Sequence, residues 1–118
     1  MNIKDFRDAI KRREYVEKVS FGEWAEGIEE CCKKEIEILT EDISSTIEFL
    51  MTECTAKEFS WISEIIDDLI AKTQSRALLE CYKSLMAKFP EECKTYNIAG
   101  SIECAEAELV GGSEDGQS

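Results

Sequence analysis

The chain of 118 residues is strongly acidic, with a formal net charge of −12 and no histidine. This charge disfavours binding to a nucleic-acid backbone, which requires clustered lysine and arginine, so we expect no nucleic acid among the partners. Without histidine, nucleophile systems built on a histidine base and di-iron sites built on Glu-x-x-His are excluded. The hydrophobic fraction of 43% indicates a globular chain, and the length predicts a single domain.

The negative charge lies beyond the first helix. Residues 1–20 carry six bases and four acids, so residues 21–118 carry −12 − 2 = −14. No apolar run approaches the ~20 residues that span a bilayer, and the charged N-terminus does not resemble a secretory signal. The six cysteines form no C-x-x-C pair, which favours free thiols in a reducing compartment. We therefore expect a cytoplasmic protein that does not bind membranes.

Helical periodicity begins at the N-terminus. Ile3, Phe6 and Ile10 share one face of a helix predicted over residues 3–19. The basic run at residues 11–13 is too short for a nucleic-acid site on so acidic a chain. We interpret that run as a solvent-exposed face of the helix.

A second predicted helix contains one conflict with its own pattern. Ser20 and Glu23 form a candidate capping box, and the helix continues to about Leu39. Glu35 falls in the middle of the apolar stripe, where a buried carboxylate would be costly. Either the helix turns its buried face near Lys33, or Glu35 has a partner, or it borders a site; we favour the first. The stripe is formed by Phe21, Trp24, Ile28, Cys31, Cys32 and Leu39.

A third helix is predicted to about Glu53, with its N-cap among residues 40–42. One continuous helix over residues 21–53 is the alternative, although it would be long for a globular domain.

The stretch over residues 55–89 has the clearest periodicity and predicts two amphipathic helices joined by a short turn at residues 73–75. Thr55 and Glu58 form a capping box for the first helix, and Ser75 caps the second. Two wide apolar stripes predict that each helix touches more than one neighbour. Their members are Phe59, Ile62, Ile65, Ile66, Leu69 and Ile70, and then Leu78, Leu79, Tyr82, Leu85, Met86 and Phe89.

Pro90 is predicted to close that helix, with a short helical turn over residues 91–94 and a last helix capped by Asn97. Residues 1–110 would then form one helical domain, and residues 111–118 a flexible polar tail. The predicted fold is all-α, with five or six helices packed as antiparallel hairpins in a bundle or a short α-solenoid-like stack.

Carboxylates recur at helical spacing and could in principle bind a hard cation or act as acid and base. In a chain with 26 acidic residues such spacings arise by chance, so we interpret them as solvated helix faces. We expect no catalytic, cofactor-binding or metal-binding residue, no cofactor and no enzymatic activity. The groups are Glu26/Glu29/Glu30, Glu64/Asp67/Asp68 and Glu103/Glu106.

Residues 52–98, together with the trailing SIECAEAEL, resemble small helical bacterial immunity proteins of contact-dependent growth inhibition and related polymorphic toxin systems. The resemblance is strongest at residues 57–61 (KEFSW) and residues 72–75 (KTQS). It implies a cytosolic antitoxin that binds a toxin domain, often a nuclease, and blocks its active site. It implies no functional residues, because such families diverge together with their toxins.

The charge and the absence of catalytic equipment favour the same interpretation, an inhibitor of a basic protein. Matching charge would steer the encounter, and the carboxylates would stand in for phosphates. The alternatives are a phage-type inhibitor that mimics nucleic acid, such as an anti-CRISPR protein, a self-associating helical adaptor, and last a metal-dependent carboxylate enzyme. The oligomeric state stays open. The residues predicted to bind the partner are Glu41, Asp42, Glu48, Glu64, Asp67 and Asp68, with Trp61 as an anchor.

Overall fold

The computed structural model describes residues 2–20 and 25–110, which form eight α-helices and no strand. The predicted all-α class is confirmed, whereas the expected five or six helices are too few. The central stretch is divided more finely than its periodicity indicates. The helices are α1 (Ile3–Ser20), α2 (Ala25–Thr40), α3 (Ile43–Thr52), α4 (Ala56–Ser63), α5 (Ile66–Thr73), α6 (Arg76–Ser84), α7 (Pro90–Tyr96) and α8 (Ile98–Ala107), with a 3₁₀ turn at Leu85–Ala87.

α2 and α3 are separate helices, so one continuous helix over residues 21–53 is not formed. Asp42 is the N-cap of α3, and its carboxylate accepts hydrogen bonds from the backbone amides of Ser44 at 3.1 Å and Ser45 at 3.4 Å. The buried Thr46 hydroxyl donates to the carbonyl oxygen of Leu39 at 2.7 Å, which ties α3 to the end of α2. Ser20 is the last residue of α1, and the rest of its predicted capping box, Glu23 included, lies outside the described residues.

The first predicted helix of the central stretch is two helices, α4 and α5. It begins as expected. The Thr55 hydroxyl accepts a hydrogen bond from the Glu58 backbone amide, and the Glu58 carboxylate accepts one from the Thr55 backbone amide. It is interrupted at Ile65, where φ is −120° and ψ is 5°. The interruption lets α4 pack on α7 and α8 while α5 packs on α8 and α2. A straight helix could not follow both sets of neighbours.

The second half of the stretch departs from prediction at its end. Ser75 caps α6 as expected, with its hydroxyl accepting the Leu78 amide at 3.1 Å. Pro90 is the first residue of α7, where its missing amide hydrogen costs nothing. Asn97 is the N-cap residue of α8, as predicted, but it has a left-handed φ of 50° and its side chain makes no capping hydrogen bond. The predicted tail at residues 111–118 lies outside the described residues.

The core joins most of the helices through the residues that periodicity placed inward. The Phe59 ring lies 4.7 Å from the Tyr82 ring and 5.2 Å from the Phe89 ring, measured between centroids. The Phe6 ring meets Phe49 edge-on at 5.6 Å, which joins α1 to α3. Among the described helices, none has the length and apolar character needed to cross a membrane.

Candidate binding surface and a buried charge cluster

The six predicted acids, here called the acidic surface, lie on two parts of the chain. Five of them are exposed, and Asp67 is partly buried. Residues 35–71 contain ten acids and only Lys57 as a base, a net charge of 1 − 10 = −9. The members are Glu41 and Asp42 between α2 and α3, Glu48 on α3, Glu64 at the end of α4, and Asp67 and Asp68 in the first turn of α5.

The structure brings two members of the acidic surface into one cleft. Glu64 and Asp67 line an open cleft of about 310 Å³ together with Ser63, Ser101 and Cys104. Carboxylates and hydroxyls in this arrangement are acceptors for a lysine or arginine side chain. This cleft lies at the α4–α5 junction and faces α8.

Glu48 lies elsewhere, in a separate cleft of about 250 Å³ that also contains Glu53 and Ile3. This cleft joins α3 to the beginning of α1. The predicted residues therefore do not form one continuous cleft, and any partner that touches all of them must cover both regions.

Trp61 is half-buried and already has partners within the chain. Its indole Nε1 donates to Glu14 Oε2 at 3.3 Å, and the Arg13 guanidinium lies 4.8 Å from the ring centroid. These contacts hold the ring in one orientation. A partner would meet an indole that is already positioned.

Arg13 is the most unexpected residue of the region, since only 4% of it is exposed. Its Nε donates to Glu17 at 2.8 Å, and its Nη2 donates to Glu64 at 2.6 Å. The interpretation of residues 11–13 as a solvent-exposed face holds for Lys11 and Arg12 and is wrong for Arg13. A guanidinium can be buried when carboxylates and an aromatic face replace its water.

Glu35 is fully buried on α2. Neither of its carboxylate oxygens has a hydrogen-bond partner in the structure, and Arg13 Nη1 is also unpartnered. Burial raises the pKa of Glu35 to about 7; Arg13 opposes this, while Glu64 and Glu17 add to it. Our preferred expectation, that the helix turns its face near Lys33, is wrong because α2 runs unbroken with Glu35 inside. The conflict in the apolar stripe was the signal that marked this residue.

Ion pairs join α1 to α4 along a line that we call the charged seam. Arg7 Nε lies 2.7 Å from Glu58, and Arg13 Nη2 lies 2.6 Å from Glu64. Both pairs join residues 51 positions apart, so α1 and α4 run in the same direction. Lys57 Nζ, 2.6 Å from Glu14, completes the seam. An open cleft of about 210 Å³ follows it, so long side chains span the gap between the helices.

All six cysteines are free thiols, as expected. Burial raises the pKa of Cys54 to about 12 and that of Cys32 to about 11, so both stay protonated and weakly nucleophilic. Within residues 2–20 and 25–110, no group of three or more cysteine, aspartate or glutamate side chains is placed to hold a metal ion.

Comparison of the chain with protein-family models, with curated proteins and with solved structures finds no match.

Proposed function

We propose that the chain is an immunity protein that binds a basic toxin domain, such as a nuclease, and covers its active site. The observation that carries this proposal is the acidic surface together with the shortage of bases over residues 35–71. A nuclease cleft is positively charged because its substrate is anionic. Carboxylates presented on helices would occupy the positions of phosphates and exclude that substrate.

The fold supports this role by holding several of these acids in place. Asp42 is fixed by its cap bonds, and Glu64 by its ion pair with Arg13. Asp67 accepts the backbone amide of Asp68 at 2.9 Å. Groups held before binding lose less conformational entropy when the complex forms, which raises affinity without further contacts.

The test uses two variants of equal charge. In the first, all six acids of the acidic surface become Gln or Asn, so the Asp42 cap is kept as Asn and the net charge becomes −12 + 6 = −6. In the second, the same change is made at six other exposed acids, which serves as the control. The control positions are Glu26, Glu29, Glu30, Glu91, Glu103 and Glu108.

Both variants are co-expressed with the product of the neighbouring reading frame, and growth and affinity are measured. We expect the surface variant to bind at least about tenfold more weakly and to protect cells poorly, given roughly 0.2–1 kcal/mol for each exposed charge pair. The control should dissociate at the rate of the natural chain and lose only the part of the association rate that comes from its lower net charge. Equal binding by the natural chain and the surface variant would contradict the proposal.

A phage-type inhibitor that mimics nucleic acid is the second candidate, because the same carboxylates would face a basic nuclease channel. The identity of the protein captured by the acidic surface separates the two. A toxin domain encoded beside the chain supports an immunity protein, whereas a bacterial defence nuclease supports the phage-type inhibitor.

A further inference from the structure

The first two helices pack on each other and contribute apolar side chains to the common core. α1 packs extensively along α2, whereas it meets α4 through the charged seam. The open cleft along the seam is lined by Arg7, Lys11, Glu14 and Lys57 among others. Water can therefore reach the outer side of the charged seam, whereas Arg13 and Glu58 are themselves buried. The docking of α1–α2 on α4 therefore depends in part on the balance of buried charge.

Glu35 lies at the inner side of this attachment, with an unfavourable balance of charge around it. Three carboxylates, those of Glu17, Glu35 and Glu64, share the single guanidinium of Arg13. Glu17 and Glu64 take its Nε and Nη2, while Nη1 and both Glu35 oxygens remain unpartnered. An ionised carboxylate in this position has lost its water and gained no hydrogen bond, which is strongly unfavourable.

We propose that Glu35 is a proton-controlled latch: neutral Glu35 allows the α1–α2 pair to dock on α4, and ionised Glu35 loosens it. The other charged groups around it do not replace the missing bonds. The thiols of Cys31 and Cys32 are on its own helix. The remaining helices that pack on α2 are α3 and α5, whose charged residues lie wholly or partly at the surface; they are Glu48, Asp67, Asp68 and Lys72.

The direction of the effect follows from proton linkage. The pKa of Glu35 is raised from the ordinary 4.5 to about 7 in the docked state. Between pH 4.5 and about pH 7, Glu35 is therefore protonated in the docked state and ionised in the undocked state. The docked state is favoured at the acidic end of this pH range. Its advantage is lost as pH rises through about 7. The latch does not depend on the proposed toxin partner and can be tested on the chain alone.

The test is native-state hydrogen exchange by NMR, with each amide corrected for its intrinsic rate at each pH. We expect protection in α1 and α2 to fall by roughly 30- to 100-fold between about pH 5 and about pH 8, since each unit of pKa is a factor of ten. Protection in α5 and α8, which pack tightly on each other, should change little over the same range.

Two variants distinguish the effect of Glu35 ionisation on protection from the general effects of pH. Glu35→Gln is neutral at every pH, so its α1–α2 protection should not vary with pH. Glu37→Gln removes an exposed acid from the same helix and should behave like the natural chain. A loss of protection that is equal in all helices, or that persists in Glu35→Gln, would overturn the proposal. The natural chain's own comparison of α1–α2 with α5 and α8 decides the question if Glu35→Gln does not fold.

Discussion

Two buried polar residues show how differently this fold treats a polar atom in its interior. The hydroxyl of Tyr82 donates to the carbonyl oxygen of Phe59 at 2.6 Å, and burial raises the pKa of Tyr82 so that it remains a donor. Glu35 is equally buried and has no hydrogen bond. A satisfied buried donor stabilises the fold, whereas an unsatisfied carboxylate subtracts from stability. The placement of Glu35 in an apolar stripe, without a hydrogen bond, is the strongest indication of a role beyond packing.

Arg13 is the residue whose removal should disturb this region most. Arg13→Met would leave Glu17, Glu35 and Glu64 without their shared cation, and we expect it to cost about 3–5 kcal/mol of unfolding free energy. The pKa of Glu35 should rise further, because Arg13 is what opposes its increase.

The neighbouring Arg12→Met is the matched control, since Arg12 is exposed. We expect it to change stability by no more than about 0.5 kcal/mol. Urea denaturation of the two variants at neutral pH makes the comparison, and equal midpoints would show that Arg13 is dispensable.

At the scale of the elements, the ends of α5 and α8 are joined by one side chain. Gln74 follows α5 in a left-handed conformation, with φ 51° and ψ 30°. Its Nε2 donates to the Glu108 carbonyl oxygen at 2.7 Å, and its Oε1 accepts the Val110 amide at 2.8 Å. A single amide thereby satisfies both a carbonyl and an amide just beyond α8. This contact joins the end of α5 to the end of α8, which are far apart in sequence.

Two substitutions of Gln74 should distinguish the contribution of its hydrogen bonds to stability from the cost of its left-handed backbone conformation. Gln74→Ala loses both hydrogen bonds and should cost about 1–3 kcal/mol, since each such bond contributes roughly 0.5–1.5 kcal/mol. Gln74→Gly loses the same bonds but relieves the left-handed conformation, so it should be about 1 kcal/mol more stable than Gln74→Ala.

In both variants the amide of Val110 should lose protection from hydrogen exchange. If that amide stays protected in both, the Gln74 contact does not hold the end of α8. Thermal denaturation provides the stability order of the two variants.

At the scale of the whole molecule, the net charge and the placement of charge should affect binding differently. A charge of −12 attracts a basic partner over long range, and this attraction is screened by salt. Contacts on the acidic surface act only after the encounter. Long-range steering changes association rates, while buried or close pairs change dissociation rates.

The two six-residue variants described above have the same net charge and so separate these effects. Both should associate with a basic toxin domain more slowly than the natural chain and with a shallower dependence on salt. Only the variant of the acidic surface should also dissociate faster, by at least about tenfold. Rapid-mixing kinetics at several salt concentrations provide the measurement. Equal dissociation rates for the two variants would show that the acidic surface does not bind the partner.

The sequence by itself determined the all-α class, most helix starts and the inward-facing residues. Caps such as Asp42, Ser75 and the Thr55–Glu58 box join residues two or three positions apart, so local spacing reveals them. The position of Glu35 within an apolar stripe was visible for the same reason.

Only the tertiary structure decided where α4 ends, which helices it contacts, and which cation faces which carboxylate. Arg7–Glu58 and Arg13–Glu64 join residues 51 positions apart, and no periodicity within one helix relates such residues. The burial of Arg13 and the separation of Glu48 from the cleft that contains Glu64 and Asp67 follow from the same packing. Local hydrogen bonds are set by neighbouring residues, whereas pairing across helices is set by which faces meet when the core closes.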